Sequence, residues 1–456
     1  MSIYRADPAI LKLGDRFYDP VRPAQFPVAI ARFVNRRAAQ GVGLNLDSEG
    51  WERHFHRFEP LPGNLEQPLA LRYHGHQFRN YNPEIGDGRG FLFAQLRDER
   101  GRLLDLGTKG SGQTPYSRFG DGRLTLKGGI REVLATEMLE ALGVNTSKTF
   151  ALFETGESLQ RNDEPSPTRS AVLTRLSHGH IRIGTFQRLA FYDDREGLHA
   201  LADYCHRFLF DQPGAGAERL FEIVLSGTAG LAASYLVAGF VHGVLNSDNI
   251  NITGESFDYG PWRFTPHWDE SFVAAYFDHA GLYAFGVQPE AIHWNLAQLA
   301  GCLSLIADRE PMEQALNGWP GLFQDALVEA LIKRLGLRPA DKESDLNLAG
   351  AMLAALRTRT ATIDRFFFDW RGGRIPEGEV YQAFPFPSLA RQLEGRAALP
   401  GAIDHPYWSD PEPCSMHIDE VEAIWSAIAE RDDWSPFEAK IMAIRRMADA
   451  MTPPCA

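Results

Sequence analysis

The chain is short of cysteine and has no excess of positive charge. Its four cysteines, Cys205, Cys302, Cys414 and Cys455, lie far apart without a Cys-x-x-Cys spacing. That argues against a disulfide framework or a cysteine-built zinc site, and a reducing, cytoplasmic compartment is expected. A net charge of −13 argues against nucleic acid or an anionic membrane as partner, since either needs a basic face. The N-terminal MSIYRADPAILKLGDRF lacks the long apolar core of a signal peptide. One uncharged stretch, 223–241, reaches the minimum length of a membrane span. It is rich in Gly, Ala, Ser and Thr and runs straight into a polar cluster, so a buried helix is expected there.

What is present is an ordinary globular composition, 44% hydrophobic and 23% charged over 456 residues, enough for two or three domains or one bilobal unit. The charge is unevenly spread. Residues 109–131 hold five basic side chains and one acidic, and residues 169–188 hold four basic and none acidic. Two positive patches in an acidic protein point to a local anion site of the phosphate kind. Arg175 and Arg182 flank Ser-His-Gly-His-Ile, and guanidinium groups suit bidentate phosphate contacts.

Residues 1–70 are Pro-punctuated and read as an irregular wrapping extension with one helix near Val28–Ala39. Residues 71–192 read as a strand-rich lobe. The glycine loop Ile85–Gly90 precedes a hairpin of Phe91–Arg97 and Leu103–Lys109, and glycines there let backbone N–H groups approach a phosphate. A helix is expected over Thr125–Leu142, with strands over Thr149–Phe153 and Ala171–Leu176 and an exposed loop between them. Lys109 at a strand end followed by Glu132 on a helix is the pairing kinase-like enzymes use to fix a phosphate-contacting ammonium. From about 193 to 370 the pattern is helical, with helices over 199–210, 217–241, 289–307, 322–335 and 346–365. Residues 371–456 form a further helical extension containing one helix over 418–450. This order predicts an α+β, protein-kinase-like bilobal fold, with a strand-rich N-lobe, a helical C-lobe and an extension at each end.

The polar cluster is Val241–Pro261, VHGVLNSDNINITGESFDYGP. Its alternating middle, Ile250–Phe257, predicts a tight hairpin that brings Asn249 and Asp258 together as oxygen ligands for Mg²⁺ or Mn²⁺. Kinases place an Asp two residues after a His, an Asn five further on, and a metal-binding Asp in a D-F-G turn. His242 and Asn249 keep that spacing, and Asp258-Tyr259-Gly260 stands for the turn. Val244 occupies the position of the usual catalytic Asp, and valine cannot accept a proton. Asp248 is the nearby carboxylate able to replace it.

The motifs GHQF (75–78), GDGR (86–89), KGSGQTPYSRFGDGR (109–123), IRE (130–132), HGVLNSDN (242–249), DYGP (258–261), and QPE with WNL (288–296), together with the arginine pair, resemble those of the selenoprotein O (YdiU-like) family of pseudokinase-fold protein adenylyltransferases. The resemblance covers roughly residues 70–300. It implies ATP as co-substrate, bound inverted relative to a kinase, and transfer of AMP to Ser, Thr or Tyr hydroxyls of proteins with release of pyrophosphate. UTP stands as an alternative donor. It further implies that Lys109, oriented by Glu132, contacts phosphate and that Gly86, Gly88, Arg89, Asp121 and Gly122 line the nucleotide site. Arg175 and Arg182 would hold the inward phosphates, Asn249 and Asp258 the metal, and Asp248 would be the general base.

The chain departs from the family at Gln113, at Lys127-Gly128-Gly129, and after about residue 370, where the usual motifs are missing. The segment Ser271–Ala275 lacks the cysteine that would pair with one near the C-terminus, such as Cys455. Two other functions compete: an atypical kinase-like phosphotransferase using Asp248, and a non-catalytic nucleotide-binding scaffold. Three His-x-His pairs (54/56, 74/76, 178/180) suggest metal binding on a strand face, but no third ligand accompanies them, so structural roles are expected.

Overall fold

The computed structural model describes residues 3–162 and 164–452, and shows a mixed α and β chain with most strands before residue 180 and mainly helices after it. The strands are β1 (Tyr18–Pro20), β2 (Ile30–Val34), β3 (Leu69–Leu71), β4 (Gly75–Gln77), β5 (Asn80–Asn82), β6 (Leu92–Arg97), β7 (Leu103–Lys109), β8 (Leu124–Thr125), β9 (Lys148–Leu159) and β10 (Thr168–Ser177). Eight of them make one antiparallel sheet in the order β1-β3-β6-β7-β10-β9-β2, with β8 beside β10, while β4 and β5 form a separate ribbon. The expected β6–β7 hairpin is present. Its turn is closed by Asp98, whose carboxylate accepts from the backbone N–H groups of Arg100 and Arg102. Strand β7 is buried along its whole length, so Lys109 enters the interior with it.

Residues 3–70 are more ordered than their composition suggests. Strands β1 and β2 cap opposite edges of the sheet, which removes exposed edges that would otherwise invite pairing with another chain. The helix expected over Val28–Ala39 is therefore replaced. Ile30–Val34 pairs with β9, and helix α1 (Arg36–Gly41) starts only after Asn35, whose side chain accepts from the N–H of Ala38. Helix α2 (Arg53–His56) follows. The loop expected between the last two strands is also shorter, because β9 continues to Leu159, which pairs with Thr168.

Helix α3 (Leu126–Ala141) matches the sequence pattern. The Thr125 side chain caps it, and its Ile130, Val133, Leu134 and Met138 are buried. Beyond the sheet come α4 (Ile183–Phe191), α5 (Arg195–Tyr204), α6 (Ala217–Ala238), the short pair β11 (Phe240–Val241) and β12 (Arg263–Phe264), and α7 (Gln288–Leu303). Then follow α8 (Arg309–Leu335), α9 (Lys342–Arg357), α10 (Ile363–Asp369), α11 (Phe386–Leu393), α12 (Ile418–Arg431) and α13 (Ser435–Met451). Two expected single helices are each split. The break in 346–365 falls at Arg359 and that in 418–450 at Asp432, both with left-handed backbone that ends a helix. Helix α6 is long and apolar enough to cross a membrane, yet 67% of its apolar window is buried inside the protein. Cys205, Cys302 and Cys414 are free thiols, and Cys455 lies outside the described residues.

The helical part is fastened by a buried ion pair. Arg334 on α8 donates to Asp364 on α10 at 2.7 Å and also to the Val237 carbonyl in the last turn of α6. Breaking such a pair leaves a charge stranded away from water, which costs far more than the pair's net contribution. Asp364→Ala is therefore expected to cost about 3–5 kcal/mol in chemical denaturation. The double change Arg334→Met/Asp364→Leu should recover most of that loss, and equal losses in both variants would contradict the assignment.

Candidate active site

Sheet, helix α3 and the loop 242–262 meet at Lys109. Its ammonium donates to the Glu132 carboxylate at 2.6 Å and to the Tyr259 carbonyl at 3.1 Å, and lies 3.0 Å from the Asp258 carboxylate. Lys109 and Glu132 are buried, so the strand–helix pairing read from the sequence is formed. The loop 242–262 returns to its starting point because β11 pairs with β12, Phe240 opposite Phe264. His242 holds the loop closed within: its Nε2 lies 3.0 Å from the Phe257 carbonyl, which places a proton on that nitrogen.

The hairpin expected over Ile250–Phe257 does not form. Asn251 bridges to Arg182 and Ser256 to Thr146, so the two arms pair with different partners and only the turn at Thr253-Gly254 remains. Long-range backbone partners win over the local pairing that alternation suggests. Asp258 has a left-handed backbone (φ 64°), uncommon outside glycine and characteristic of strained functional positions.

A cleft of about 720 Å³ opens above this junction, within the usual range for small-ligand sites. Gly86, Gly88, Arg89, Lys109, Asp121, Gly122, Arg175, Arg182, Asp248 and Asp258 all line it. Glu132 stands behind Lys109, and Asn249 is not on the wall; its amide donates to the Val244 carbonyl at 3.0 Å. Asp121 sits at the outer rim, paired with Arg161 at 2.8 Å. Gly86 is required by packing as well as by any ligand, since a Cβ there would lie 2.4 Å from the Tyr116 ring.

Charge decides the character of the cleft. Burial alone would raise the pKa of Asp258. Lys109, then Arg175, Arg182 and Arg89, outweigh it and hold the group well below the usual carboxylate value. Asp248 behaves oppositely: burial pushes it up to about 6 despite the opposing pull of Arg182. Its Oδ1 is buried with no hydrogen-bond partner. One carboxylate is thus locked as an anion, and its neighbour is poised to take a proton near neutral pH.

Several supporting residues escaped the sequence reading. Asp87, inside the GDGR motif, pairs with Arg182 at 3.1 Å, and Tyr73 lies under the same guanidinium at 4.2 Å. Phe257, fully buried, sits beneath both Arg175 and Arg182. The GHQF motif braces the loop from outside: the His76 N–H donates to Ser247 Oγ at 2.7 Å and the Phe78 N–H to Asn246 Oδ1 at 3.0 Å. The His-x-His pairs bind no common centre. His74 pairs with the Tyr81 hydroxyl, His76 with Gln187 and His178 with the Leu209 carbonyl, and among the described residues no group of three or more His, Cys, Asp or Glu could hold a metal.

A cationic cleft of small-ligand size, a Lys–Glu pair and two differently tuned carboxylates suit a nucleotidyl-transferring enzyme, and sequence comparison agrees. The family model described as protein adenylyltransferase SelO matches residues 3–378, and the chain belongs to that family. It is 40% identical to a protein nucleotidyltransferase YdiU of Synechocystis sp., over 94% of this chain and 96% of the relative. It is 42% identical to one of Gloeobacter violaceus, over 96% of this chain and 95% of the relative. Alignment to these relatives therefore continues past residue 378, into the part where the sequence motifs gave no resemblance.

Lys109→Met is expected to weaken binding of a nucleoside triphosphate by at least about tenfold, the value of a lost charge-assisted contact. Glu132→Gln should act in the same direction, because Lys109 then has Asp258 as its sole carboxylate. Calorimetric titration checks both, and unchanged affinity in Lys109→Met would contradict the site.

Proposed function

We propose that the chain transfers AMP from ATP to Ser, Thr or Tyr hydroxyls of proteins, within a kinase-like two-lobed architecture of residues 71–192 and 193–370 flanked by extensions 1–70 and 371–456. The observation that carries this reading is a displacement of function. Val244 occupies the position of the usual kinase base, while two arginines, Arg175 and Arg182, are buried at the bottom of the cleft beside Asp258. A kinase needs its charge near the mouth, where the γ-phosphate meets the acceptor. Buried arginines suit the opposite arrangement, with the outer phosphates held inside and the α-phosphate towards the acceptor.

Asp248 takes the proton from the acceptor hydroxyl, whose oxygen then attacks the α-phosphorus. The bond from the α-phosphorus to its bridging oxygen breaks, and pyrophosphate leaves with its charge met by Lys109, Arg175 and Arg182. Asp248 suits that role because it lines the cleft and burial raises its pKa to about 6, which lets its carboxylate take a proton near neutral pH. Asp258 and Asn249 are the oxygen donors that would hold Mg²⁺ or Mn²⁺, Asp258 on the cleft wall beside Lys109 and Arg175 and Asn249 just behind it. Asp258 supplies one carboxylate, and Asn249, whose amide N–H₂ is engaged by Val244, supplies a free oxygen. Magnesium is commonly held by one or two protein oxygens with phosphates and water completing the shell. When bound, it would neutralise developing phosphate charge.

Mass spectrometry of a protein acceptor, or of the chain itself, after incubation with ATP and Mg²⁺ or Mn²⁺ is expected to show added AMP. Asp248→Ala and Asp258→Ala should abolish it, and added phosphate in place of AMP would overturn the reading. Because Asp248 must be ionised to act, the transfer rate is expected to fall about tenfold per pH unit as pH drops below about 6. A rate flat from pH 7 to 5 would remove Asp248 as the base.

A further inference from the structure

We propose that the buried pair Asp105–His180 is a positioning device for Arg175, with His180 acting as the neutral acceptor that fixes the guanidinium's orientation towards the cleft. This rests on the nucleotide role given to Arg175 above. Arg175 Nε donates to His180 Nε2 at 3.2 Å. An arginine Nε always carries its proton, so His180 Nε2 must be bare and the ring proton must sit on Nδ1. That proton points at Asp105 Oδ2, 3.1 Å away. The second Asp105 oxygen accepts from Gln95 Nε2 at 2.7 Å, and Gln95 Oε1 accepts from the Ile10 N–H at 2.7 Å. A continuous buried chain of hydrogen bonds thus runs from the N-terminal extension to the cleft wall.

The other side of the guanidinium meets the active-site carboxylates, with Arg175 Nη1 3.4 Å from Asp258 and 3.6 Å from Glu132. Held at Nε and Nη1, the plane cannot rotate. The ring of Phe257 closes the remaining side, 6.2 Å from the His180 ring and 5.1 Å from the guanidinium. The sheet makes room for this. Gly107 lies directly across from Arg175 in the β7–β10 register, and a Cβ there would stand 2.3 Å from His180 Nε2.

A histidine has an advantage over a carboxylate in this place. A further carboxylate on Nε would add to those of Asp258 and Glu132 and cancel the positive charge that a phosphate needs, whereas a neutral imidazole orients the arginine without adding negative charge. Burial, the largest influence on His180, favours the neutral ring.

The test compares ATP–Mg²⁺ affinity, AMP-transfer kinetics and melting temperature of the full chain with His180→Leu, His180→Gln and Asp105→Asn. Glutamine retains an acceptor for Arg175 and a donor for Asp105, and leucine retains neither. Asp105→Asn lets the ring proton move to Nε2, where it opposes Arg175. His180→Leu and Asp105→Asn are expected to lose about tenfold in ATP affinity and in kcat/KM, with His180→Gln within about threefold of the parent. Combining His180→Leu with Arg175→Met should add nothing to Arg175→Met alone. Parent-like affinity in His180→Leu, or His180→Gln as weak as His180→Leu, would overturn the proposal. If His180→Leu does not fold, parent-like affinity in Asp105→Asn overturns it instead. A parent protein that binds ATP without transferring AMP would end the transfer reading, while the affinities would still decide the role of His180.

Discussion

The cluster of opposite charges around Lys109 is the constraint that the rest of the structure serves. Lysine and arginines cannot be kept away from water unless carboxylates and hydrogen bonds meet them, and desolvation otherwise outweighs the attraction. Here Lys109 lies between Glu132 and Asp258, and Arg175 touches the same two carboxylates. Each group arrives on a different element: β7, α3, β10 and the loop 242–262. A shift of any one would leave charge unpaired in the interior. The ion cluster therefore fixes the sheet, the helix and the loop relative to one another.

Much of the remaining architecture supports that arrangement from further out. The loop is closed at its base by the β11–β12 pair and by His242, and braced by the β4 ribbon through Ser247 and Asn246. The N-terminal extension completes both edges of the sheet and reaches Asp105 through Gln95. At the other end of the chain, Arg445 of α13 makes two hydrogen bonds to the buried Glu137 of α3, on the helix that carries Glu132. Both ends of the chain thus bear on the site through its supports, since the cleft lining runs only from Tyr73 to Asp258.

The residues that meet in the cleft sit in short, chemically distinctive runs, and the resemblance to a known family singled most of them out. Local pattern alone marked the glycine loops, the lysine ending an apolar strand and the helix glutamate beside an apolar stripe. It also marked the β6–β7 hairpin and α3. What local pattern could not supply was the choice between local and distant partners. Ile30–Val34 could be helical by composition, but the free edge of β9 takes it as a strand. Ile250–Phe257 alternates like a hairpin, yet Arg182 and Thr146 claim its arms. The roles of Asp87, Phe257 and His180 were hidden for the same reason, as each acts on an arginine far away in the chain. Asp432 shows a subtler limit: a polar residue within a helical pattern gave no sign of the left-handed turn that divides α12 from α13.

AMP transfer and phosphate transfer differ in which phosphate of the nucleotide faces the acceptor. Parallel incubations with ATP carrying the label at the α or at the γ position measure this directly. Label appearing on protein only from the α position is the predicted result. Label appearing only from the γ position would contradict the inverted nucleotide and return the site to an unusual phosphotransferase.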